Sequence, residues 1–305
     1  MIGKICGTGS SIPVKIMDND DLSNMVDTND AWIRERTGVE KRHIAESEST
    51  VSMAVEAGRR ALAQTGIRPE ELDMIVVSTM SPDAVLPCTA CEVQKAIGAE
   101  GAVCFDLQAA CTGFIFAYNT AQAYIQSNMC RTVLLIGSER LSRLVDWTDR
   151  GTCILFGDGA GAAVLKAEEG RAYLPVSHSD GKKGEALTCD RYIHMDGRAV
   201  FQFAVTRVPE VIREVLTKNE LIMDDIDYFV LHQANRRIVE AVAKRLRQPI
   251  EKFPMNLQEY GNTSSASIPI LLDEMNRSGK LKKGQKLIVA GFGAGLSWGA
   301  SIVEW

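Results

Sequence analysis

Three residues in this chain have the chemistry to carry and react an acyl group: a cysteine, a histidine and an asparagine. Cys111 lies in DLQAACTGFIFA, where a strand-like run ending at Leu107 gives way to a helical pattern through Phe114, Ile115, Ala117, Tyr118 and Ala121. A thiol at a helix N-terminus feels the positive end of the backbone dipole, which predicts a lowered pKa and a larger thiolate fraction. Ala109, Ala110, Thr112 and Gly113 around it leave room for a substrate. His232, in FVLHQAN, closes an apolar strand pattern and precedes a helix, whereas His43, His178 and His194 fall in charged or polar stretches. Asn262 sits in GNTSSAS, a loop that also opens a helix. Cys, His and Asn together make a nucleophilic set. The set has two readings. A cysteine hydrolase of the papain type would show CGSCW around the nucleophile, and the text here is ACTGF. A condensing enzyme would use His Nε2–H and the Asn amide as neutral donors to a thioester carbonyl while an enolate forms.

These residues need a scaffold, and the sequence supplies one. Segments 72–78, 101–107, 132–138 and 161–165 are short, apolar and rich in Val and Ile, as strands are. Segment 50–64 reads as an amphipathic helix, capped by Ser49 or Thr50, with Val51, Ala54, Val55, Ala61 and Leu62 on one face and Gly66 past its end. Such alternation predicts a layered α/β fold with buried sheets. A weak internal repeat goes further. LDMIVVS (72–78) matches IDYFVLH (226–232), segment 102–117 matches 252–270 through a shared LQ, and RTVLLIGSERLS (131–142) matches QKLIVAGFGAGLS (285–297). The order predicts two similar halves, 1–168 and 169–305, with Asn262 placed as the counterpart of Cys111. In open α/β sheets functional groups gather at the C-terminal strand ends, where all three residues are predicted.

Composition narrows the field. The 305 residues are 46% hydrophobic and 24% charged, an ordinary globular balance. A net charge of -5 gives no general affinity for nucleic acid. No signal peptide and no membrane-length apolar run is evident, which predicts a cytoplasmic protein with free thiols. Cys88 and Cys91 form a lone CxxC with no second pair to complete a zinc site, so no metal is expected. GDGAGA (157–162) and GFGAGLSWG (291–299) lack the βαβ context of nucleotide loops, so they are read as tight backbone near the site and no redox cofactor is expected.

The helix after His232 has a charged side. At 100° per residue, Arg236, Arg247, Lys244 and Arg237 fall within about 100° of one another. Between positions 234 and 253 there are six Lys/Arg and two Glu. Solvated surface is one explanation, and a landing site for an acidic carrier protein is the other.

DLQAACTGF, DRGTCILFGDGAGAAVL, LHQAN, YGNTSSASIP and GFGAGLSWGA, together with TGSSIP and DAWIRERTGVEKRHI, resemble the β-ketoacyl-[acyl-carrier-protein] synthase III family of the thiolase superfamily over nearly the whole chain. The resemblance implies a five-layered αβαβα fold with a duplicated core and a homodimer that starts type II fatty-acid synthesis. It implies that Cys111 takes an acyl group from acyl-CoA and that malonyl-acyl-carrier protein then condenses with it, losing carbon dioxide. By the same resemblance His232 and Asn262 stabilise the enolate, and the backbone N–H groups of Cys111 and Ala294 form an oxyanion hole. Trp32 and Arg150 match the pair that sandwiches adenine. Thr28, Arg36, Gly197, Phe201, Ala234, Asn235, Arg237 and Lys244 match other CoA or pantetheine contacts, and Leu86 matches a residue that floors the partner's acyl pocket. No cofactor and no membrane is implied. Two departures stand out: Gln202 replaces a usual lysine, and the segment between Asp180 and Gly197 looks short for the family. An acyltransferase or ketosynthase of another pathway, and a non-catalytic carrier-protein binder, are the competing functions.

Overall fold

The structure is a computed structural model that describes residues 1–305. Its first sheet uses β1 (Ile2–Ser11), β2 (Met74–Ser78), β3 (Val103–Leu107), β4 (Thr132–Glu139) and β5 (Gly159–Glu168), in the order β1-β5-β4-β2-β3. The second uses β6 (Val176–Ser179), β9 (Tyr228–Leu231), β10 (Lys286–Gly293) and β11 (Ser297–Glu304), in the order β9-β10-β11-β6. A separate hairpin, β7 (Leu187–Cys189) with β8 (Ile193–Met195), lies between β6 and β9 in sequence.

The main helices are α1 (Asp30–Thr37), α2 (Thr50–Ala63), α3 (Thr89–Ile97), α4 (Gly113–Gln126), α5 (Gly197–Lys218), α6 (Arg236–Leu246) and α7 (Ser267–Arg277). The α2 reading from sequence holds: Ser49 caps its N-terminus, and Ala54, Val55, Ala61 and Leu62 are buried.

Layering follows from strand periodicity. Met74 and Val76 of β2 face one way and join a core with α4 and α7, while Ile75 and Val77 face the other way, into a core with α2 and α3. On β10, Leu287 and Val289 face α4 and α7, while Ile288 and Ala290 join α5 and α6. Both faces of each sheet are therefore covered, and α4 with α7 forms the layer shared by the two sheets. The result is five layers, αβαβα.

The repeat is visible as topology. In each half a parallel pair (β2 with β4, β9 with β10) leads to an antiparallel pair (β4 with β5, β10 with β11) and then to a further antiparallel strand (β1, β6). One strand has no counterpart. β3 pairs with β2, but the matched stretch around Phe253 forms no strand. Pro254 follows it and lacks the N–H a ladder needs, and Phe253 instead stacks on Phe229 at 4.7 Å. No helix is long and apolar enough to cross a membrane.

Candidate active site

The local backbone sets up the cysteine. Ala110 takes φ 45°, a left-handed conformation uncommon for a residue with a side chain, and Ala110–Thr112 make a tight turn before α4. The second half repeats this: Ser264 takes φ 49° and Ser264–Ala266 turn into α7. The counterpart of Cys111 is therefore Ser265, not Asn262, which precedes it by one turn of chain. The sequence match was displaced because the shared LQ is followed by loops of unequal length. The two turns touch each other at the centre of the molecule.

Gly293 supports the first turn. A Cβ on Gly293 would lie 2.9 Å from the Cys111 amide nitrogen and 3.1 Å from that of Thr112. Only a glycine lets the end of β10 approach the turn this closely. Thr112 Oγ1 bonds Ser297 Oγ at 2.8 Å, tying the turn to β11. This brings Ala294 and Cys111 to the same cavity. Gly291 likewise backs onto His232, a Cβ there meeting its Cβ at 2.8 Å.

His232 ends the β9 ladder, its N–H donating to the Ala290 carbonyl at 2.8 Å. Its ring is fully buried, and desolvation pushes its pKa down to about 4, so it is neutral at pH 7. Nδ1 lies 2.8 Å from Ser267 Oγ. A hydroxyl donating to Nδ1 places the ring proton on Nε2, which is buried and has no protein partner. Asn262 is held at both ends of its peptide: its N–H donates to Leu155 O at 2.8 Å, and its carbonyl accepts from Gly157 N at 3.1 Å. Its side-chain oxygen accepts from Ser264 N–H at 2.8 Å, which turns the NH₂ donors outward. The GDGAGA stretch thus serves to anchor Asn262.

Cys111, His232, Asn262, Ser264 and Ala294 line one cavity, closed by apolar side chains that include Met80, Leu141, Phe156, Leu187, Ile193 and Phe292. The hairpin β7–β8, built from the segment that reads short, forms one wall. A groove meets this cavity through Met195, Val200, Ala234 and Asn262. Arg36, Gly197, Phe201, Ala234, Asn235 and Arg237 line that groove. Arg150 stacks over Trp32 at 4.9 Å and Arg36 lies 5.5 Å from the same ring. Asn235 caps α6 through Arg237 N–H and donates to the Arg36 carbonyl, so its side chain shapes the groove.

Some expected residues stand elsewhere. Lys244 is on the exposed side of α6, outside the groove lining, because two turns of helix separate it from Arg237. Thr28 does not line the groove either, although its Oγ1 is buried without a partner. Leu86 is 82% exposed and lines neither the cavity nor the groove of its own chain.

One expectation is corrected. Burial pushes the Cys111 thiol up to about 12, with Ser264 pulling the other way. The helix dipole was expected to lower it, but desolvation of a thiolate outweighs a half-charge at a helix end. Three residues escaped the sequence reading. Ser267 and Ser264 orient the two donors, and Glu139 accepts from Ser81 Oγ and Met80 N–H beside the cavity wall. Their only sequence signal was the polar run GNTSSAS and an acid ending a buried strand. No group of three His, Cys, Asp or Glu side chains is placed to hold a metal ion.

Known proteins resemble this chain in sequence and fold. Residues 105–181 match the family model described as 3-oxoacyl-[acyl-carrier-protein (ACP)] synthase III, and residues 216–305 match the model of its C-terminal region. Beta-ketoacyl-[acyl-carrier-protein] synthase III of Clostridium novyi (strain NT) is 47% identical, with 99% of this chain and 98% of the relative covered. The crystal structure of 3-oxoacyl-[acyl-carrier-protein] synthase III from Aquifex aeolicus VF5 superposes with a TM-score of 0.97 at 44% identity, over 99% of this chain and 100% of that one. The priming β-ketosynthase of the R1128 polyketide pathway gives a TM-score of 0.96 at 36% identity, over 99% of this chain and 96% of that one. With two similar halves, a cysteine turn at their junction and this degree of identity along the whole chain, the protein belongs to the β-ketoacyl-[acyl-carrier-protein] synthase III family of thiolase-fold condensing enzymes.

Proposed function

We propose that the protein moves an acyl group from acyl-CoA to Cys111 and condenses it with malonyl-acyl-carrier protein, releasing carbon dioxide and 3-oxoacyl-carrier protein. The reaction starts fatty-acid chains. One observation carries the assignment of roles: Cys111, the unpartnered Nε2 of His232 and the Asn262 amide meet in one apolar cavity.

In acylation the Cys111 sulfur attacks the acyl-CoA carbonyl, and the thiol proton ends on the departing CoA sulfur. The N–H groups of Cys111 and Ala294 hold the oxyanion. The malonyl thioester then loses carbon dioxide. His232 Nε2–H and the Asn262 amide donate to its carbonyl as the enolate forms. A neutral imidazole suits this, because it keeps its proton and forms no ion pair that would have to be broken. The enolate carbon attacks the acyl-Cys111 carbonyl, and the sulfur leaves as a thiolate that takes a proton from solvent. Side chains, backbone and the substrates' thioesters meet every charge change, so the scheme calls for no cofactor.

The reading places CoA in the groove, its adenine between Trp32 and Arg150 after these separate, its phosphates near Arg36 and Arg237. Thr28 and Lys244 would contact its outer end. Arg236, Arg237, Lys244 and Arg247 would receive the acidic carrier protein; all four are exposed, with Arg236 already paired to Glu240 at 2.9 Å. The halves 1–168 and 169–305 carry the nucleophile and the donors respectively. A homodimer would join the open edge of β3, where Val103 is 61% exposed, and let Leu86 reach the partner's cavity. We place the reaction in the cytoplasm.

Intact-mass analysis after mixing with acetyl-, butyryl- and isobutyryl-CoA tests acylation and ranks primers. Adding malonyl-carrier protein should yield carbon dioxide and a 3-oxoacyl product. Release of free acid instead would make the protein a hydrolase, and no mass increase would make it a binder. The likeness to a polyketide priming enzyme favours a second setting for the same chemistry, which the preferred carrier protein would distinguish.

A further inference from the structure

The ends of β4 and β10 occupy matching places, and each meets the other half's turn. Both strands run eight residues. β10 ends on Gly293, which makes room for Cys111. β4 ends on Glu139, which reaches Ser265. Glu139 is fully buried, and its carboxyl is bonded by three hydroxyls and an amide, none of them a cation. Oε2 accepts from Ser81 Oγ at 2.7 Å, Met80 N–H at 3.1 Å and Thr79 Oγ1 at 3.3 Å. Oε1 lies 2.7 Å from Ser265 Oγ, which also lies 3.0 Å from the Ser78 carbonyl. The Ser265 hydroxyl has one proton, and the Ser78 carbonyl can only accept. With that proton given to Ser78, the short contact to Oε1 needs a proton from the carboxyl. A buried carboxylate without a cation would also carry a large desolvation cost. The adjoining Arg140 does not supply the cation, since its Nη2 donates to the carbonyls of Ala45 and Glu46.

We propose that Glu139 is a neutral carboxylic acid and a positioning residue for the acyl cavity. Its Oε1–H donates to Ser265, and Ser265 donates to Ser78. Its Oε2 holds Met80 by the amide and through Ser81, while the chain after β4 runs on to Leu141. Met80 and Leu141 are both walls of the cavity that contains Cys111. Glu139 therefore ties the second half's turn to two walls of the first half's site. Burial raises its pKa, in agreement with the neutral form. Neutrality matters to the nucleophile. Cys111 is the titratable group that feels a charge on Glu139, and a carboxylate there would oppose the thiolate. Loop 79–81 and the turn 264–266 bring only Thr, Met, Ser and Ala against it. The effect on primers rests on the acylation proposed above; the protonation state does not.

Infrared difference spectra at about pH 8 test the proton. Wild type minus Glu139→Gln should show the carbonyl stretch of a protonated carboxyl, shifting in D₂O. Asp158 is the other carboxyl raised by burial. Asp158→Asn should keep the band, which decides the matter even where Glu139→Gln folds poorly. A wild type without the band overturns the neutral acid. Alkylation of Cys111 by iodoacetamide, followed by peptide mapping, gives a second reading. Glu139→Gln should react within about threefold of the wild-type rate, whereas a rate about tenfold faster would mean that a negative charge had been removed, and overturns it. For positioning, Glu139→Ala should lower acylation kcat/KM about 10²-fold and change the ratio of butyryl- to acetyl-CoA acylation, and Glu139→Gln should restore both. Activity lost equally for every primer, in step with the folded fraction, overturns the positioning role. A wild type that no acyl-CoA acylates defeats the proposed function instead, and the infrared and alkylation readings still decide the state of Glu139.

Discussion

The two halves build the same turn and put different chemistry on it. Ala110–Cys111 and Ser264–Ser265 share a left-handed residue, a tight turn and a following helix. Cys111 faces the cavity. Ser265 faces away from it, its Oγ 3.0 Å from the Ser78 carbonyl and 2.7 Å from Glu139, a carboxyl whose pKa is raised by burial. A turn at a helix start therefore does not make a nucleophile. What it faces decides, and the second half spends its turn on holding the first half in place.

The comparison breaks most sharply at Cys111. Cys111→Ala should abolish acylation by intact mass, while malonyl decarboxylation can persist. Next, His232→Ala and Asn262→Ala should each keep substantial acylation and lose about 10²–10³-fold in condensation, the cost of an oxyanion-type donor. Full condensation by either would refute its role.

Gly293→Ala presses a methyl group against the backbone of the first turn. It should lower kcat/KM for both half-reactions by about 10²-fold through misplacement of the sulfur, and lower thermal stability. Ser265→Ala tests the second turn. It should cost about 1–3 kcal/mol of stability, by denaturant titration, because Glu139 loses a buried partner, yet leave Cys111 acylation in place. If Ser265→Ala alone removed acylation, the two turns would share the chemistry.

The smallest expected effects are electrostatic. His232 titrates near 6.5 when unfolded and about 4 when folded, so the unfolded chain binds more protons between those values. Stability should fall as pH drops from about 6.5 to about 4, by up to about 3 kcal/mol from this group, and His232→Gln should flatten the slope. Reversing Arg236 and Arg247 to Glu should raise the KM for malonyl-carrier protein a few-fold at low salt, leaving acyl-CoA kinetics unchanged.

Much of this could be read from residues in order. The strands at 72–78 and 132–138, the helix from Thr50 and the repeat all follow from local periodicity. So does the identity of Cys111, His232 and Asn262, each at a junction of strand or loop with helix. Harder to read were Ser267, Ser264 and Glu139, whose importance comes from partners 35, 2 and 126 positions away: His232, Asn262 and Ser265.

The sequence by itself determined the elements, the duplicated order and the candidate trio, because hydrophobic period, caps and turn residues act over a few neighbours. Tertiary structure alone decided that the cysteine is a buried, protonated thiol and that Ser265 is its true counterpart. Those properties depend on desolvation and distance, which sum over groups brought together only when the two sheets close on α4 and α7.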